Sequence, residues 1–191
     1  MNWTSYLVPS EHRRFNEFIG LLVLTLGILL ALSLVSFSPE DPSFNISKNP
    51  DFAGPPANFV GFVGAYGADI FFQTWGYSAF LLPVFLGIYA FYWLASWPVH
   101  SFGIRLTGMI LLTITIATTL GISPLSSRSG ILPGGLFGKV LGDTLQASFN
   151  TAGSVIVLAC AFFVSLFLST TFSFAGAIAF LKPRFAFVST L

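Results

Sequence analysis

Four glycines and a lysine, Gly134, Gly135, Gly138, Lys139 and Gly142, come closest to a recognisable chemical motif in this chain. A phosphate-cradling loop needs Gly-x-x-x-x-Gly-Lys followed by Ser or Thr, so that backbone N–H groups and the lysine surround the phosphates while the hydroxyl serves the metal. The two remaining required positions hold Pro133 and Val140, so a nucleotide site is not expected. The glycines instead have the spacing of a helix face that approaches another backbone closely. Asp69 and Asp143 stand in otherwise apolar stretches, where an ionisable group can relay a proton or an ion. Both are close to loops, where capping or water contact is cheap, and a structural role is expected. His12 and His100 are single and far apart, and the lone Cys160 lies in an apolar run, so neither a metal site nor an intramolecular disulfide follows. Ser165 and Thr170 have no visible base. The expectation is a chain without catalytic residues, cofactor or metal.

The elements that carry these residues are membrane elements. Of 191 residues 54% are hydrophobic and 8% charged, with a mean hydropathy of +0.84; soluble domains carry roughly 25% charged residues. The net charge of +1 supplies no basic stripe for nucleic acid. The fold class expected is an all-α integral membrane protein, one membrane domain over 1–191, with spans at 18–37, 77–97, 104–122 and 151–181. Ala31, Leu32 and Ser33 resemble a signal-peptide cleavage site, but the apolar run continues past them. Residues 38–56 hold five prolines with Glu40 and Asp41, which makes an aqueous loop. Residues 57–76 and 134–149 are glycine-rich and are expected as two interfacial or re-entrant helices on the outer side. Trp75, Trp93 and Trp97 bracket the second span as an aromatic belt, Pro83 is placed to kink it, and five threonines of the third can bond their own helix backbone.

Four spans place both termini on one side. With that side cytoplasmic, Arg13, Arg14, Arg105, Lys182 and Arg184 are inner anchors, against Lys48, Arg128 and Lys139 outside.

Gly61, Gly64 and Asp69 recur as Gly135, Gly138 and Asp143 at a constant offset of 74 positions, each set just before an even-numbered span. A parallel two-fold internal repeat follows, each half reading span, Ser-Pro exit, glycine-rich helix, span. Gly61, Gly64, Ala65, Ala68 and Asp69 in the first half, and Gly135, Gly138, Gly142 and Asp143 in the second, are the candidate helix-packing residues.

The ordered features, Ser36 to Ser43 (SFSPEDPS), then Asn58, Gly61, Gly64, Ala65, Ala68, Asp69, Gly76 and Pro83, then Gly135, Gly138, Leu141, Gly142 and Gly153, resemble the N-terminal four-helix membrane domain of the FtsK/SpoIIIE family of bacterial DNA translocases. The resemblance runs from about Arg13 to Leu181. It implies a multi-pass protein of the bacterial inner membrane, placed at the septum, acting in cell division and chromosome segregation. It also implies contacts with division proteins and a hexameric homo-oligomer carrying a cytoplasmic ATPase motor. That motor is absent from this chain, as is any module for direct nucleic-acid contact. Ser38, Pro39, Glu40, Asp41 and Pro42 are the outer-loop candidates for meeting partners. The alternative is a small helical transporter or channel subunit using Asp69 and Asp143.

Overall fold

The computed structural model describes residues 7–44, 55–99, 101–125 and 131–170. Lys48, His100, Arg128, Lys182 and Arg184, together with residues 171–181 of the fourth expected span, lie outside the described residues.

Among the described residues all regular elements are helical: α1 (Arg13–Val35), α2 (Gly61–Trp75), a 3-10 turn (Gly76–Phe80), α3 (Leu81–Leu94), α4 (Phe102–Ile122) and α5 (Gly135–Ser169). Helices are what a hydrocarbon environment enforces, because each backbone N–H and C=O must find its partner within the segment. Among the described residues four helical runs are long and apolar enough to cross a membrane: α1, Gly61–Leu94, α4 and α5. Their outward Leu, Ile, Val and Phe side chains are exposed, as lipid-facing positions must be. The hydroxyls of Thr107, Thr113, Thr115, Thr118 and Thr119 donate to carbonyls one turn back, which satisfies them inside the hydrocarbon.

The spans pair as two antiparallel hairpins closed by glycine. On α1, a Cβ at Gly20 would lie 2.7 Å from Leu94 Cγ, and one at Gly27 would lie 3.2 Å from Leu86 Cβ, so α1 runs against α3 in the opposite sense. On α4, Gly108 faces the backbone of Leu168 and Ser169 with no room for a side chain. Small residues allow this approach, and close packing is the main source of helix association where lipid is as apolar as leucine.

Two runs are too long for one straight span. Gly61–Leu94 has 34 residues and α5 has 35, about 50 Å each at 1.5 Å per residue, against a hydrocarbon core of about 30 Å. Each is broken part-way, at Gly76 (φ 59, ψ −143) and at Asn150 (φ 54, ψ −179). The segment before each break is a separate arm, and the arms also start alike. Gly61 has φ 70 and Gly135 φ 65, while Gly61 N–H donates to Asn58 O and Gly135 N–H to Leu132 O, both at 2.9 Å. Starts and breaks fall at the same 74-residue offset, so the repeat is one of backbone conformation as well as of residue type.

Several boundaries differ from the sequence expectation for physical reasons. The first glycine-rich helix starts at Gly61 rather than residue 57, because Asp41 and Asn58 organise a turn before it. Pro83 does not kink the second span: it occupies the first turn of α3, where a missing N–H costs little. Helix α5 stops at Ser169, and Thr170 is extended (φ −114, ψ 174). Trp93 is 3% exposed and packs against Phe15 and Tyr89, so it is not part of an interfacial belt, whereas Trp97 is exposed.

At the end of the bundle near residue 10, Asn16 is fully buried. Its Nδ2 donates to Ser10 O (2.7 Å) and Ser96 Oγ (3.1 Å), and its Oδ1 accepts from Ser10 N (2.8 Å), tying the start of α1 to the end of α3. Asn16→Ala is expected to cost about 1–2 kcal/mol, the range for a polar contact between membrane helices. Thermal unfolding of the detergent-solubilised chain measures it, and an unchanged midpoint would show the amide to be dispensable.

Candidate functional site

The polar and close-packed groups gather at the opposite end of the bundle, where α2 lies across the end of α1. Leu34, Ala68, Phe72 and Ala79 form a buried cluster there, with Phe37 against Phe72 at 4.9 Å between ring centres.

Over this cluster the SFSPEDPS segment folds back. Asp41, 4% exposed, accepts the backbone N–H groups of Ala57 (2.7 Å) and Asn58 (3.0 Å) on its two carboxylate oxygens. Asn58, equally buried, donates from Nδ2 to Ser33 O (2.8 Å) and accepts Val60 N–H on Oδ1 (3.0 Å). Ser33 Oγ then donates to Gly64 O (2.7 Å), and Ser36 Oγ accepts Phe59 N–H (2.9 Å). A Cβ on Gly64 would overlap Asn58 Oδ1 and lie 2.6 Å from Val60 Cβ. This latch fixes where α2 begins and how it meets α1, a job that needs acceptors for loop N–H groups otherwise stranded at the membrane edge.

A second contact joins the two repeats. Tyr77 N–H donates to Pro133 O (2.8 Å), and Trp75 stacks on Phe137 at 5.0 Å. Between them Gly76 and Gly135 meet backbone to backbone: a Cβ on Gly135 would be 2.5 Å from Gly76 N, and one on Gly76 would be 2.5 Å from Leu132 O.

The candidate packing residues therefore separate into groups. Gly64, Ala65, Ala68 and Asp69 are buried on α2, and Gly135, Gly138 and Gly142 on α5, where Gly138 abuts the Ala117 carbonyl and Gly142 lies under Ile122. Gly61 is different, because nothing lies within 4 Å of its would-be Cβ and only its positive φ calls for glycine. Asp143 is a correction: its side chain is exposed and ion-paired with Lys139 at 3.3 Å, off the packed face. Asp69, its repeat partner, is buried and accepts Gln73 Nε2 at 2.7 Å. Repeat symmetry thus fails at the two acids, and they share no common environment. Asp69→Asn keeps an acceptor for Gln73 and is expected to shift stability by less than about 1 kcal/mol. A loss of function at unchanged melting temperature would point instead to ion carriage.

Of the outer-loop candidates, Pro39 and Glu40 are exposed, Ser38 and Pro42 half-buried, and Asp41 is committed to the latch. Among the anchors, Arg13 pairs with Glu17 (2.9 Å), Arg14 is exposed, and Arg105 donates to Tyr92 OH (3.1 Å) with its guanidinium 5.5 Å from that ring centre. Sequence reasoning missed Asn16, Gly108, Gly121 and the positive φ of Asn150. The usable signal for the last was that Gly76 and Asn150, residue types that tolerate positive φ, are 74 apart. Among the described residues no group of three or more His, Cys, Asp or Glu could hold a metal. An apolar cavity of about 370 Å³ between α4 and α5 is lined by Ile116, Thr119, Leu120, Val155, Leu158 and Phe162, and its hydroxyl, that of Thr119, donates to Thr115 O (2.8 Å) within its own helix.

These features define a class: a multi-pass helical membrane domain made of two span, arm, span units. Residues 12–181 match the family model described as the 4TM region of DNA translocase FtsK/SpoIIIE. The chain belongs to the FtsK/SpoIIIE family, as a membrane region of that family of the bacterial inner membrane. It is 30% identical over 186 residues to the DNA translocase FtsK of Shewanella oneidensis, covering 89% of this chain and 19% of that protein. Identity is 31% over 170 residues with that of Pseudomonas aeruginosa (82% and 20%), and 30% over 190 residues with that of Vibrio vulnificus (92% and 19%). The chain thus spans about a fifth of the length of the curated relatives it matches. No solved structure matches it.

Proposed function

We propose that this chain is the membrane-anchoring and septum-targeting domain of a DNA translocase acting in cell division and chromosome segregation. The observation that carries the reading is the family match over residues 12–181, in relatives about five times longer than the region matched. The spans hold the protein in the bilayer, both termini face the cytoplasm, and the C-terminal end delivers an ATPase motor to the inner face. Many apolar residues make insertion effectively irreversible, which a pulling motor needs of its base. The glycine-rich arms and the loop carrying Pro39 and Glu40 then face outward, where division proteins are met. The chain works as a homo-oligomer, needs no cofactor, and leaves DNA contact and ATP hydrolysis to the motor. The exposed Lys139–Asp143 pair and the tightly packed Gly138 support this, since neither leaves a phosphate cradle.

Two experiments test the reading. Alkaline-phosphatase fusions after Ser10 and after Leu191 should both be inactive, and an insertion between residues 45 and 54 should be active. Activity at Leu191 would overturn the topology. Replacing the chain in the longer protein by an unrelated four-span anchor should keep the motor on the membrane while abolishing septal foci. Undisturbed foci would show that targeting lies elsewhere.

A further inference from the structure

The two repeats meet head to tail, and the contact is left open at both outer ends. The trailing end of the first arm (Trp75, Gly76) is covered by the leading end of the second (Pro133, Gly135, Phe137). Shifted by 74 positions, the same surfaces are a leading end at Phe59, Gly61 and Val63 and a trailing end at Phe149 and Asn150. Both are uncovered. Phe59 is 76% exposed, Val63 81% and Phe149 54%, and Gly61 has open space where buried Gly135 has Gly76. The backbone is nevertheless preset at both, with the φ of Gly61 and Asn150 matching that of Gly135 and Gly76. We infer that these two surfaces join between chains, the Phe149–Asn150 end of one copy seating against the Phe59–Val63 end of the next.

The occupant follows from the repeat itself, since the surface already known to fit a trailing end is a leading end of this same chain. The contact is heterologous, so each chain offers one surface of each kind and the assembly grows by one operation. Both arms lie at the same end of the bundle, where Gly76 meets Gly135, so the two units run in the same direction; parallel repeats of this kind are related by an axis along the membrane normal, and an operation about that axis produces a closed ring or an arc in the plane. Asn150 carries a Cβ that the close backbone approach at Gly76 has no room for, so the joint between chains shares the order of surfaces of the inner joint but not its backbone contact, and the two arms stand further apart there. The proposal deepens the homo-oligomer in the function above but rests on repeat geometry alone, and its failure would leave the anchoring role intact.

The test is cysteine cross-linking in native membranes with a short bis-maleimide, with Cys160→Ala in every variant. Differently tagged Val63→Cys and Phe149→Cys chains, co-expressed, should give a mixed dimer and nothing larger. The doubly substituted chain should give a ladder. Val63→Cys alone or Phe149→Cys alone should give only monomer, and a dimer from either would show a face-to-face contact and overturn the proposal. Absence of mixed dimer while a Trp75→Cys, Phe137→Cys control cross-links within one chain would overturn it too.

Discussion

Gly76→Ala is expected to cost about 3 kcal/mol or more and to loosen the two hairpins from one another. Two causes add. At φ 59 and ψ −143 the residue is in territory that side chains rarely enter, with a strain of about 1–3 kcal/mol. The added methyl would also overlap Pro133 O and Gly135 N and lie 2.5 Å from Leu132 O. These are backbone atoms that cannot rotate away, and overpacking of this kind costs about 1–3 kcal/mol. Gly67→Ala is the control, because nothing lies within 4 Å of its Cβ position and it sits inside α2. Removing a helical glycine there should be neutral or stabilise by up to about 1 kcal/mol. Thermal unfolding of both variants in detergent decides the matter, and equal midpoints would show that the Gly76–Gly135 contact is not a rigid joint.

The membrane class, the four apolar runs and the pairing of glycine-rich segments with spans were legible in the sequence because each depends on local composition or on a fixed offset. Position along a sequence does not show which way a side chain is turned, and there the reading stopped. Asp69 and Asp143 occupy equivalent positions, yet one is buried with Gln73 and the other exposed with Lys139. The difference follows from the two arms packing on different partners, the first on α1 through Ser33 and Gly64 and the second on α4 through Ala117, Ile122, Gly138 and Gly142. Trp93 fits an aromatic belt by position but turns inward onto Phe15 and Tyr89. Asp41 reads as a loop acid among prolines; its role requires Ala57 and Asn58, 16 and 17 residues away, to bring their N–H groups back to it.

That role yields the second large effect. Asp41→Ala is expected to lower stability by about 2–4 kcal/mol, because two backbone N–H groups beside a nearly dry carboxylate lose charge-assisted partners, each worth about 1.5–3 kcal/mol before water substitutes in part. Asp41→Asn should recover less than half, since an amide presents one acceptor and turns a donor toward the other N–H. Asn58→Ala removes the next link, to Ser33 O and Val60 N–H, and Gly64→Leu should push against the same Asn58 side chain from below. As these groups form one network, the Asp41→Ala, Asn58→Ala double variant should lose less than the two single losses added, with a coupling of about 1 kcal/mol. Additive losses would mean the two residues act separately. Glu40→Ala, next to Asp41 but exposed, should leave the melting temperature unchanged, so any loss of function it causes reports the exposed loop surface alone. Asp41→Ala should instead lower stability and disturb the exposed Pro39–Glu40 surface together, because the carboxylate that orders the loop also sets the surface beside it.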